Sequence, residues 1–522
     1  MNRLIPRRTL MRGAAIWGGL ALATLSPFRR AIANPVFIND PFQLGVASGD
    51  PTADGFVIWT RLAPDIFDPQ ALPPEAIEVR WEVAADAGMK KIVQRGTALA
   101  HPELAHSVHV DLRGLEPGRD YFYRFMSGAA VSRTGHARTW PSPRLAGADR
   151  ARFAVASCQH YGQGYFSAYR DMIAQNPDFI LHLGDYIYDA DWGTIVRRTP
   201  VALARSLNDY RLIHAVYKSD PDLQAAHAYC PWLMMWDDHE FSNDYSKEMS
   251  ESIQDPKVFL ERRGQAYQAY YEHMPVRASA MPDAAHNSVM FQTLAYGDLL
   301  EIAMMDCRQF RDNIACQTPT RHAGRVIDLA QCPEALDPNR TMLGAAQEKY
   351  FRDSFGKFPM RWNVIAQTLM LATLDQIAGP AKGAYSDNWG GYPAARRRIL
   401  NHVQERNLRS AISLGGDIHS FFVSDIKEDD DNPNSPIVMS EFVGTSVTSE
   451  STNGPLFKAV MPDNPHIKYW DDTRRGYMLF NVDRNTFRAD MRAVENVRVR
   501  ESTVSTQKSF VVENGKPGLQ TA

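Results

Sequence analysis

The chain of 522 residues has little excess charge of either sign. It carries 60 acidic and 57 basic residues, which gives a formal net charge of −3 at pH 7 with histidine neutral. A protein that binds nucleic acid or an anionic membrane surface through its overall charge needs a marked basic excess. The net charge therefore implies no nucleic-acid partner, and any anionic ligand must be met by local groups.

The sequence also lacks a long hydrophobic run near its start. Residues 14–25 form an apolar stretch that is shorter than the roughly 18 to 20 residues of a spanning helix. Arg7 and Arg8 precede this stretch, and a small-x-small cleavage pattern follows at residues 31–33. Residues 1–33 are therefore predicted to be an export signal. The arginine pair resembles the twin-arginine class, which implies the twin-arginine translocation machinery as a partner during export.

The predicted signal places the mature protein in the periplasm or outside the cell, without a stable membrane anchor. Two alternatives stay open at this point. The apolar stretch is retained as an anchor, or the arginine pair is an ordinary basic start of a general secretory signal.

Cysteine is scarce, and its number is odd. The chain has five cysteines, so an exported protein must leave at least one unpaired. Cys316 and Cys332 lie in a polar, proline-containing segment whose loop could close as a disulfide. Cys230 and Cys307 adjoin apolar segments and are expected to be small buried residues. The sequence alone leaves the pairing open.

Two patterns of hydrophobicity divide the rest of the chain. Short alternating runs between residues 42 and 140 predict an antiparallel β-sandwich, and GLEPGRDYFYRF at residues 114–125 resembles a late turn and strand of fibronectin-III-like sandwiches. A linker containing Pro and Gly follows at residues 141–149. Beyond it, apolar runs alternate with amphipathic stretches, which predicts an α/β region. The expected domains are a sandwich with its linker at 34–146 and a catalytic domain at 147–522.

Polar clusters follow five separate apolar runs of the second region. The runs end at Cys158, at Asp185 and Tyr188, at Asp237, Asp238 and His239, at Asp306 and Arg308, and at Asp417 and His419. Ligands bind beyond the carboxyl ends of strands in open α/β sheets, so these clusters are expected to converge. Each cluster alone has a plainer interpretation, as a helix cap, a core aromatic, a buried thiol, a packed histidine or a salt bridge. Their recurrence predicts a metal site.

The residue types in these clusters indicate the chemistry of that site. Asp417 and His419 are two positions apart, so in an extended segment both face one side. An aspartate that bridges two cations about 3.5 to 4 Å apart gives the clamp typical of phosphoryl hydrolysis. No G-x-S-x-G serine motif is present. If Tyr188 and Cys158 both bind metal, these anionic donors favour a ferric ion over zinc.

Six motifs together carry a family resemblance. In order, they are ASCQHY, HLGDYIYD, WDDHEFSND, MMDCRQFRD, GGDIHSFF and EFVGTSVTS. The series resembles the PhoD-like alkaline phosphatase and phospholipase D family, within the calcineurin-like metallophosphoesterases, from about residue 42 to residue 500. The resemblance implies an α/β (or α+β) fold with an immunoglobulin-like N-terminal sandwich. It also implies a catalytic domain of two packed mixed sheets flanked by helices, where periodicity alone predicts one doubly wound sheet.

The resemblance also implies the metals, Fe³⁺ and Ca²⁺, and their ligands. The expected iron ligands are Cys158, Asp185, Tyr188 and His419. Asp185 would bridge to calcium, with Asp238 and Asp417 on that second side. The G-D-x-H motif that opens the site in the wider superfamily is absent near Cys158, which leaves the assignment of each ligand to each metal open.

Three further residues have expected roles in catalysis. The resemblance implies that His239 falls where the wider superfamily has a histidine beside the phosphate, so His239 would stabilise the transition state or protonate the leaving oxygen. Arg308 would neutralise phosphate charge, and Asn243 would orient the phosphate. The segment YSDNWGGYPAARRR at residues 385–398 either lines the substrate pocket through Tyr385, Trp389 and its arginines or is a loop that leads into a basic helix. Whether the tail from Glu501 covers the site is open.

The predicted function is that of an exported, metal-dependent alkaline phosphatase. It would hydrolyse phosphate monoesters, with diesters as a further substrate class, by attack of metal-bound hydroxide. One alternative is a phosphodiesterase of the phospholipase D type. The alternative of another class is a non-catalytic, metal-stabilised extracellular binding protein.

Overall fold

The computed structural model describes residues 31–68, 71–143, 148–430, 432 and 434–522. The predicted export signal therefore lies almost entirely outside the described residues, as does the centre of the predicted linker. Within the described ranges, no helix has both the length and the apolar character needed to cross a membrane.

The strands of the first half of the chain, in order, are β1 (Val46–Thr52), β2 (Gly55–Arg61), β3 (Ile77–Ala84), β4 (Ile92–Ala100), β5 (Ser107–Asp111), β6 (Asp120–Ser127), β7 (Ala130–Val131), β8 (Gly135–Arg138), β9 (Arg150–Ala156), β10 (Phe179–Leu183) and β11 (Trp232–Met235). Those of the second half are β12 (Gln292–Tyr296), β13 (Leu300–Met304), β14 (Val326–Asp328), β15 (Trp362–Ala366), β16 (Gly383–Tyr385), β17 (Ala411–Gly415), β18 (Phe421–Lys427), β19 (Ile437–Val443), β20 (Ile467–Asp471), β21 (Arg475–Asp483), β22 (Thr486–Val494), β23 (Val504–Glu513) and β24 (Lys516–Thr521).

The α-helices of the described residues are α1 (Ser167–Ala174), α2 (Leu207–Lys218), α3 (Pro221–Tyr229), α4 (Pro256–His273), α5 (Gly344–Ser354), α6 (Pro393–Glu405) and α7 (Gly454–Val460). Short 3₁₀ helices occupy Pro102–Leu104, Tyr161–Gln163, Ala278–Ala280, Leu329–Gln331, Pro333–Leu336, Trp389–Gly391 and Met461–Asp463. The amphipathic stretches at residues 164–175 and 345–358 coincide with α1 and α5, as their periodicity predicts.

Two large mixed sheets form the catalytic region. The first runs in the order β24-β23-β22-β21-β9-β10-β11-β1-β2-β5, and the second in the order β12-β13-β15-β17-β19-β18-β20. Both have parallel centres, β9-β10-β11 in the first and β13-β15-β17-β19 in the second. The central strands are buried along their whole length, which explains their continuous apolar runs.

The two sheets pack face to face with helices outside. Side chains of both sheets share one hydrophobic core, in which Phe442 of β19 lies edge to face with Phe480 of β21 at 5.6 Å between ring centroids. Helices α5 and α6 cover the second sheet through a second core that includes Phe351 and Ile399. The predicted architecture of two packed mixed sheets is confirmed, and a single doubly wound sheet is not what forms.

The N-terminal β region shares a sheet with the catalytic region. Strands β3, β4, β6, β7 and β8 form a separate five-stranded sheet, but β1, β2 and β5 extend the first large sheet, where β1 pairs with β11 in parallel at Gly49 and Trp232. A Cβ at Gly49 would lie 2.2 Å from the carbonyl oxygen of Pro275 and 2.8 Å from that of Trp232. Glycine is therefore required where the two regions meet.

Two open questions from the sequence are answered by the fold. Cys316 and Cys332 form a disulfide, and Cys158, Cys230 and Cys307 are free and buried. The C-terminal tail does not cover the predicted site, because β23 and β24 pair with β22 as successive strands at the edge of the first sheet.

Candidate metal centre

The predicted metal ligands lie where the carboxyl ends of both sheets meet. Cys158, Asp185 and Asp238 follow β9, β10 and β11 of the first sheet, and Asp417 and His419 follow β17 of the second. Four of these residues have left-handed backbones, with φ of 58° at Cys158, 53° at Asp185, 66° at Asp417 and 54° at His419. Such conformations cost free energy in residues other than glycine and cluster at functional sites. The sharp turns bring these short side chains together.

The first donor group joins sulfur, oxygen and nitrogen ligands. One ligand atom from each of Cys158, Asp185 and His419 lies within 4.8 Å of the others. The Tyr188 hydroxyl is 2.9 Å from Asp185 Oδ2 and 3.0 Å from His419 Nε2, so it belongs to the same group. His419 Nδ1 lies 2.7 Å from the carbonyl oxygen of Glu450. With the ring proton on Nδ1, Nε2 keeps a lone pair for a cation.

A second donor group shares Asp185 with the first. Asp185, Asp238 and His239 present ligand atoms within 4.8 Å of one another, and Asp237, Asp238 and Asp417 form a further such set. Asp238 Oδ1 is buried without a hydrogen-bond partner among the described residues. Leaving a buried carboxylate oxygen without a partner is costly. A cation beside Asp238 would remove this cost.

Burial shifts several of these groups away from their charged forms. Burial, together with the nearby Asp185 carboxylate, raises the pKa of the Cys158 thiol and of the Tyr188 hydroxyl well above their ordinary values. Burial also raises the pKa of Asp417, and Asp237 and Asp238 add to that shift against the opposing effect of Arg308. A cation favours the anionic form of each group, so a thiol, a phenol, an imidazole and several carboxylates around one shared aspartate fit a metal centre.

Arg308 lies beneath the donor groups rather than in a cavity. Its side chain is fully buried, and Nε and Nη2 donate to the two carboxylate oxygens of Asp237 at 2.6 and 2.7 Å. Nη2 also donates to Asp417 at 2.9 Å, and Nη1 donates to Asp387 at 2.5 Å. Carboxylates already enclose the guanidinium group of Arg308, and Arg308 does not line the cavity, so its predicted role in neutralising phosphate charge would have to act through these carboxylates.

His239 does face the cavity above the donor groups. Its Nδ1 lies 3.0 Å from Asp189 Oδ1, and its ring centroid lies 4.3 Å from that of Tyr188. Although burial alone lowers the pKa of His239, the carboxylates of Asp238, Asp185 and Asp189 raise it well above its usual value. The imidazolium form is therefore favoured as long as no cation neutralises Asp185 and Asp238, and Asp189 remains beside the ring in either case.

The cavity has a volume of about 540 Å³, and its floor is formed by the predicted site residues Asp185, Asp238, His239, Asp417 and His419. Asn243 lies on its wall, where its amide donates to Glu251 at 3.1 Å. Tyr385 also lies on the wall, but Trp389 is buried and donates to Gln367, and Arg398 binds Glu348. Of the two interpretations of segment 385–398, the pocket lining therefore applies to Tyr385, whereas Trp389 and the arginines of the segment do not line the cavity.

Several residues around the centre are absent from the predicted set. They are Asp237, Asp189 beside His239, Asp387 beside Arg308, Glu240 between two strand-end loops, and Ser449, which donates to the Tyr188 hydroxyl at 2.7 Å. Four of these residues lie inside the six quoted motifs, and that position could have identified them from the sequence. They are Asp189, Asp237, Glu240 and Ser449. Asp387 lies in the quoted segment 385–398, but a single aspartate in a glycine-rich loop is ordinary and is not distinguished there.

Comparisons with known proteins agree with this geometry. The sequence profile of the family "PhoD-like phosphatase" matches residues 153–491, and that of "PhoD-like phosphatase, N-terminal domain" matches residues 29–141. Alkaline phosphatase D of Bacillus subtilis (strain 168) is 39% identical over 534 aligned residues, covering 99% of this chain and 89% of the relative.

A solved structure described as "Structure of PhoD" superposes with a TM-score of 0.87 at 39% identity, covering 94% of this chain and 93% of that one. The family match, the curated relative and the solved structure all point to a phosphatase, so together they overturn the alternative of a non-catalytic binding protein. The chain belongs to the PhoD-like phosphatase family and is an enzyme that hydrolyses phosphate esters.

Proposed function

We propose that the chain binds Fe³⁺ and Ca²⁺ at the floor of the cavity and hydrolyses phosphate monoesters there. The observation that carries this proposal is the position of Asp185, which belongs to both donor groups. A carboxylate in that position is able to bridge two cations. When bound, the two cations would lower the pKa of water and offset the charge of the phosphoryl group.

The donor types support the assignment of each side. Cys158, Tyr188 and His419 surround Asp185 on the iron side, where a thiolate and a phenolate favour a ferric ion. Asp238 and Asp417 supply the oxygen ligands that calcium prefers on the other side. Asp237 stands next to them but is held by Arg308 and by the Thr368 hydroxyl, which donates to it at 2.6 Å.

His239 would donate a proton to the leaving oxygen of the substrate. Because Nδ1 faces Asp189, Nε2 is the ring nitrogen available to a substrate. Asp189 holds the ring in place and favours its charged form. Asn243 would orient the phosphate from the cavity wall, while Arg308 acts on the substrate only through the carboxylates that it positions.

Phosphodiesters are the second candidate substrate class. Beyond the polar floor, the cavity wall includes Val326, Met370, Ile418, Leu456 and Phe457. An apolar wall of this kind would accept the uncharged group of a second ester. Relative turnover of a monoester and a bis-ester of p-nitrophenol ranks the two activities.

We also propose export by the twin-arginine machinery to the periplasm or the medium, with a sandwich region at 34–146 and a catalytic region at 147–522. The basic, apolar and small-residue pattern of residues 1–33 supports this route. The disulfide between Cys316 and Cys332 is consistent with an oxidising compartment.

An assay on p-nitrophenyl phosphate tests the proposed activity. Wild-type protein reconstituted with iron and calcium is expected to turn over, and His239→Ala is expected to retain its metal but lose about 10²- to 10⁴-fold in kcat. His101→Ala, which lies outside the cavity, is the control and should match wild type. Metal retained with no turnover in wild type would contradict the proposed substrate class, and full activity in His239→Ala would contradict the role of His239.

A further inference from the structure

Glu240 joins the two loops that carry most of the candidate metal ligands of the first sheet. Its side chain is buried, and its carboxylate accepts three backbone N–H groups. The N–H groups of Asp185 and Asp237 donate to Oε2 at 3.1 and 2.8 Å, and that of Tyr186 donates to Oε1 at 2.6 Å. Two of these donors belong to the loop after β10, and the third belongs to the loop after β11.

These three N–H groups lie beyond the paired residues of the sheet and need an acceptor other than a neighbouring strand. The parallel pairing of β10 with β11 ends at Leu183 and Met235, so the residues that follow have no partner in the ladder. A buried N–H group without an acceptor costs free energy comparable to a lost hydrogen bond. Glu240 supplies acceptors to all three at once, and it does so from the chain that follows β11.

The two loops are in direct contact at this point. A Cβ at Gly184, where φ is 85°, would lie 2.3 Å from Cβ of Asp237. Asp185 and Tyr188 follow this contact on one loop, and Asp238 and His239 follow it on the other. The distance between the two sets of side chains therefore depends on how the loops are tied together.

A carboxylate matches the three N–H donors around Glu240. Both of its oxygens act as acceptors, whereas the amide of glutamine would point an N–H₂ group at backbone N–H donors. Glu240 forms no ion pair with lysine, arginine or histidine among the described residues, and Asp185 and Asp237 lie beside it. Burial and the Asp185 carboxylate raise the pKa of Glu240 well above its ordinary value, and the backbone N–H groups of Tyr186 and Asp237 oppose that shift.

We propose that Glu240 is a positioning residue that sets the spacing between Asp185 and Asp238 and thereby the affinity of the metal centre. Groups that orient metal ligands commonly change metal affinity or activity by about 10- to 100-fold when they are replaced. The inference rests on the proposed function in one respect only, namely that Asp185 and Asp238 bind metal.

The test compares Glu240→Gln with Glu301→Gln. Glu301 is also a buried carboxylate, and its Oε2 accepts the backbone N–H of Gly356 at 2.8 Å and the amide of Asn363 at 2.7 Å. It lies near the start of β13, away from the strand ends that carry the centre. The two variants therefore make the same chemical change in two different places.

Glu240→Gln is expected to lose bound iron and calcium, measured by elemental analysis, and to lose about 10- to 100-fold in kcat. Glu301→Gln should keep both, and Glu240→Asp should recover more metal and more kcat than Glu240→Gln because it keeps a carboxylate. Metal content and kcat of Glu240→Gln within twofold of those of Glu301→Gln would overturn the proposal.

Amide hydrogen exchange on metal-free wild-type protein tests the same proposal without any variant. The amides of Asp185, Tyr186 and Asp237 are expected to be protected without metal, because their acceptor is Glu240. Exchange of these amides at the rate of an exposed loop would overturn the proposal even if every variant failed to fold. If wild-type protein binds no metal and has no turnover, the proposed function fails, while the exchange result still decides whether Glu240 ties the loops.

Discussion

Arg308 shows how much depends on a single side chain. Its fully buried guanidinium group contacts the carboxylates of Asp237, Asp387 and Asp417. Burial alone raises the pKa of Asp387, but Arg308 and Arg311 lower it below its ordinary value. The charges of the centre are therefore partly balanced by a buried residue that does not line the cavity.

Replacing Arg308 by methionine is expected to reduce the free energy of unfolding by about 3 to 5 kcal/mol, because it leaves buried carboxylates without their partner. Chemical denaturation measures the change. Lys349→Met is the control, since Lys349 pairs with Asp353 on an exposed face of α5 and should cost about 0.3 to 0.5 kcal/mol. Equal losses in the two variants would contradict the role given to Arg308.

The sequence identifies the candidate ligands more readily than it identifies the residues that hold them in place. Cys158, Asp185, Asp238, Asp417 and His419 are recognisable because metal-binding residue types recur after apolar runs. Asp387 is not, because its importance comes from a contact with Arg308, 79 positions away in the chain. A contact of that kind is fixed by tertiary packing and has no local pattern.

The disulfide-bonded segment acts at the scale of an element. The loop between Cys316 and Cys332 contains β14, which pairs with β16, and Val326 of β14 lies on the cavity wall. In the same loop, the N–H of Gly324 donates to Asp244 at 2.7 Å, and the N–H of Asp244 donates to Asp238 at 2.7 Å. The loop that the disulfide closes is therefore linked to the candidate metal ligand Asp238 by two successive hydrogen bonds.

Removing the disulfide by the double change Cys316→Ser and Cys332→Ser is expected to lower the free energy of unfolding by about 3 kcal/mol, the value typical of a loop of this length. We also expect a lower kcat, because the cavity wall loses a constraint. Thermal unfolding and the p-nitrophenyl phosphate assay measure the two effects. The control is Cys230→Ala, which removes a thiol outside any disulfide and should leave kcat unchanged. A kcat of the double variant equal to that of wild type would contradict the link between the disulfide-closed loop and the cavity wall.

At the scale of the whole molecule, the β region before the linker is part of the catalytic sheet. Strand β1 lies next to β11, so removal of the first 148 residues would expose the edge of the buried strand β11. An exposed apolar sheet edge promotes aggregation. A chain that begins at Asp149 is therefore expected to be insoluble or to lack a cooperative thermal transition. The control is the chain from residue 34, which should unfold in a single transition. Calorimetry measures both. A soluble, active fragment would contradict this expectation.

Periodicity could not have predicted this continuity. It identifies strands and helices because the burial of each face follows the local pattern of apolar residues. The amphipathic stretches at residues 164–175 and 345–358, which coincide with α1 and α5, are examples. The order of strands in a sheet depends instead on contacts between distant segments, such as Gly49 with Trp232. Only the family resemblance supplied the two packed sheets.

Buried histidines make the folded molecule sensitive to acid. Burial lowers the pKa of His182 to about 3 and that of His109 to about 4, and it lowers those of His214, His227 and His273 well below the ordinary value. These rings stay neutral in the folded state while the unfolded chain binds protons below about pH 6.5. Each such histidine is expected to reduce the free energy of unfolding by about 1.4 kcal/mol per pH unit as the pH falls from about 6.5 toward its folded pKa.

Denaturation of wild type and His182→Phe between pH 7 and pH 4 checks this expectation. Both ring nitrogens of His182 are buried without hydrogen-bond partners among the described residues, so phenylalanine loses no contact of that kind. The variant should have a smaller slope of stability against pH by about 1.4 kcal/mol per unit below pH 6. Equal slopes would show that His182 does not contribute to acid unfolding.

Elemental analysis of purified protein, combined with its visible absorption spectrum, tests most directly whether the strand-end side chains hold a pair of cations. We predict iron and calcium in stoichiometric amounts, with a charge-transfer band from the Cys158 thiolate and the Tyr188 phenolate that changes in Cys158→Ser and in Tyr188→Phe. Hydrolysis of phosphate esters at full rate with neither metal present would contradict the account. A visible spectrum that is identical in wild type, Cys158→Ser and Tyr188→Phe would contradict it as well.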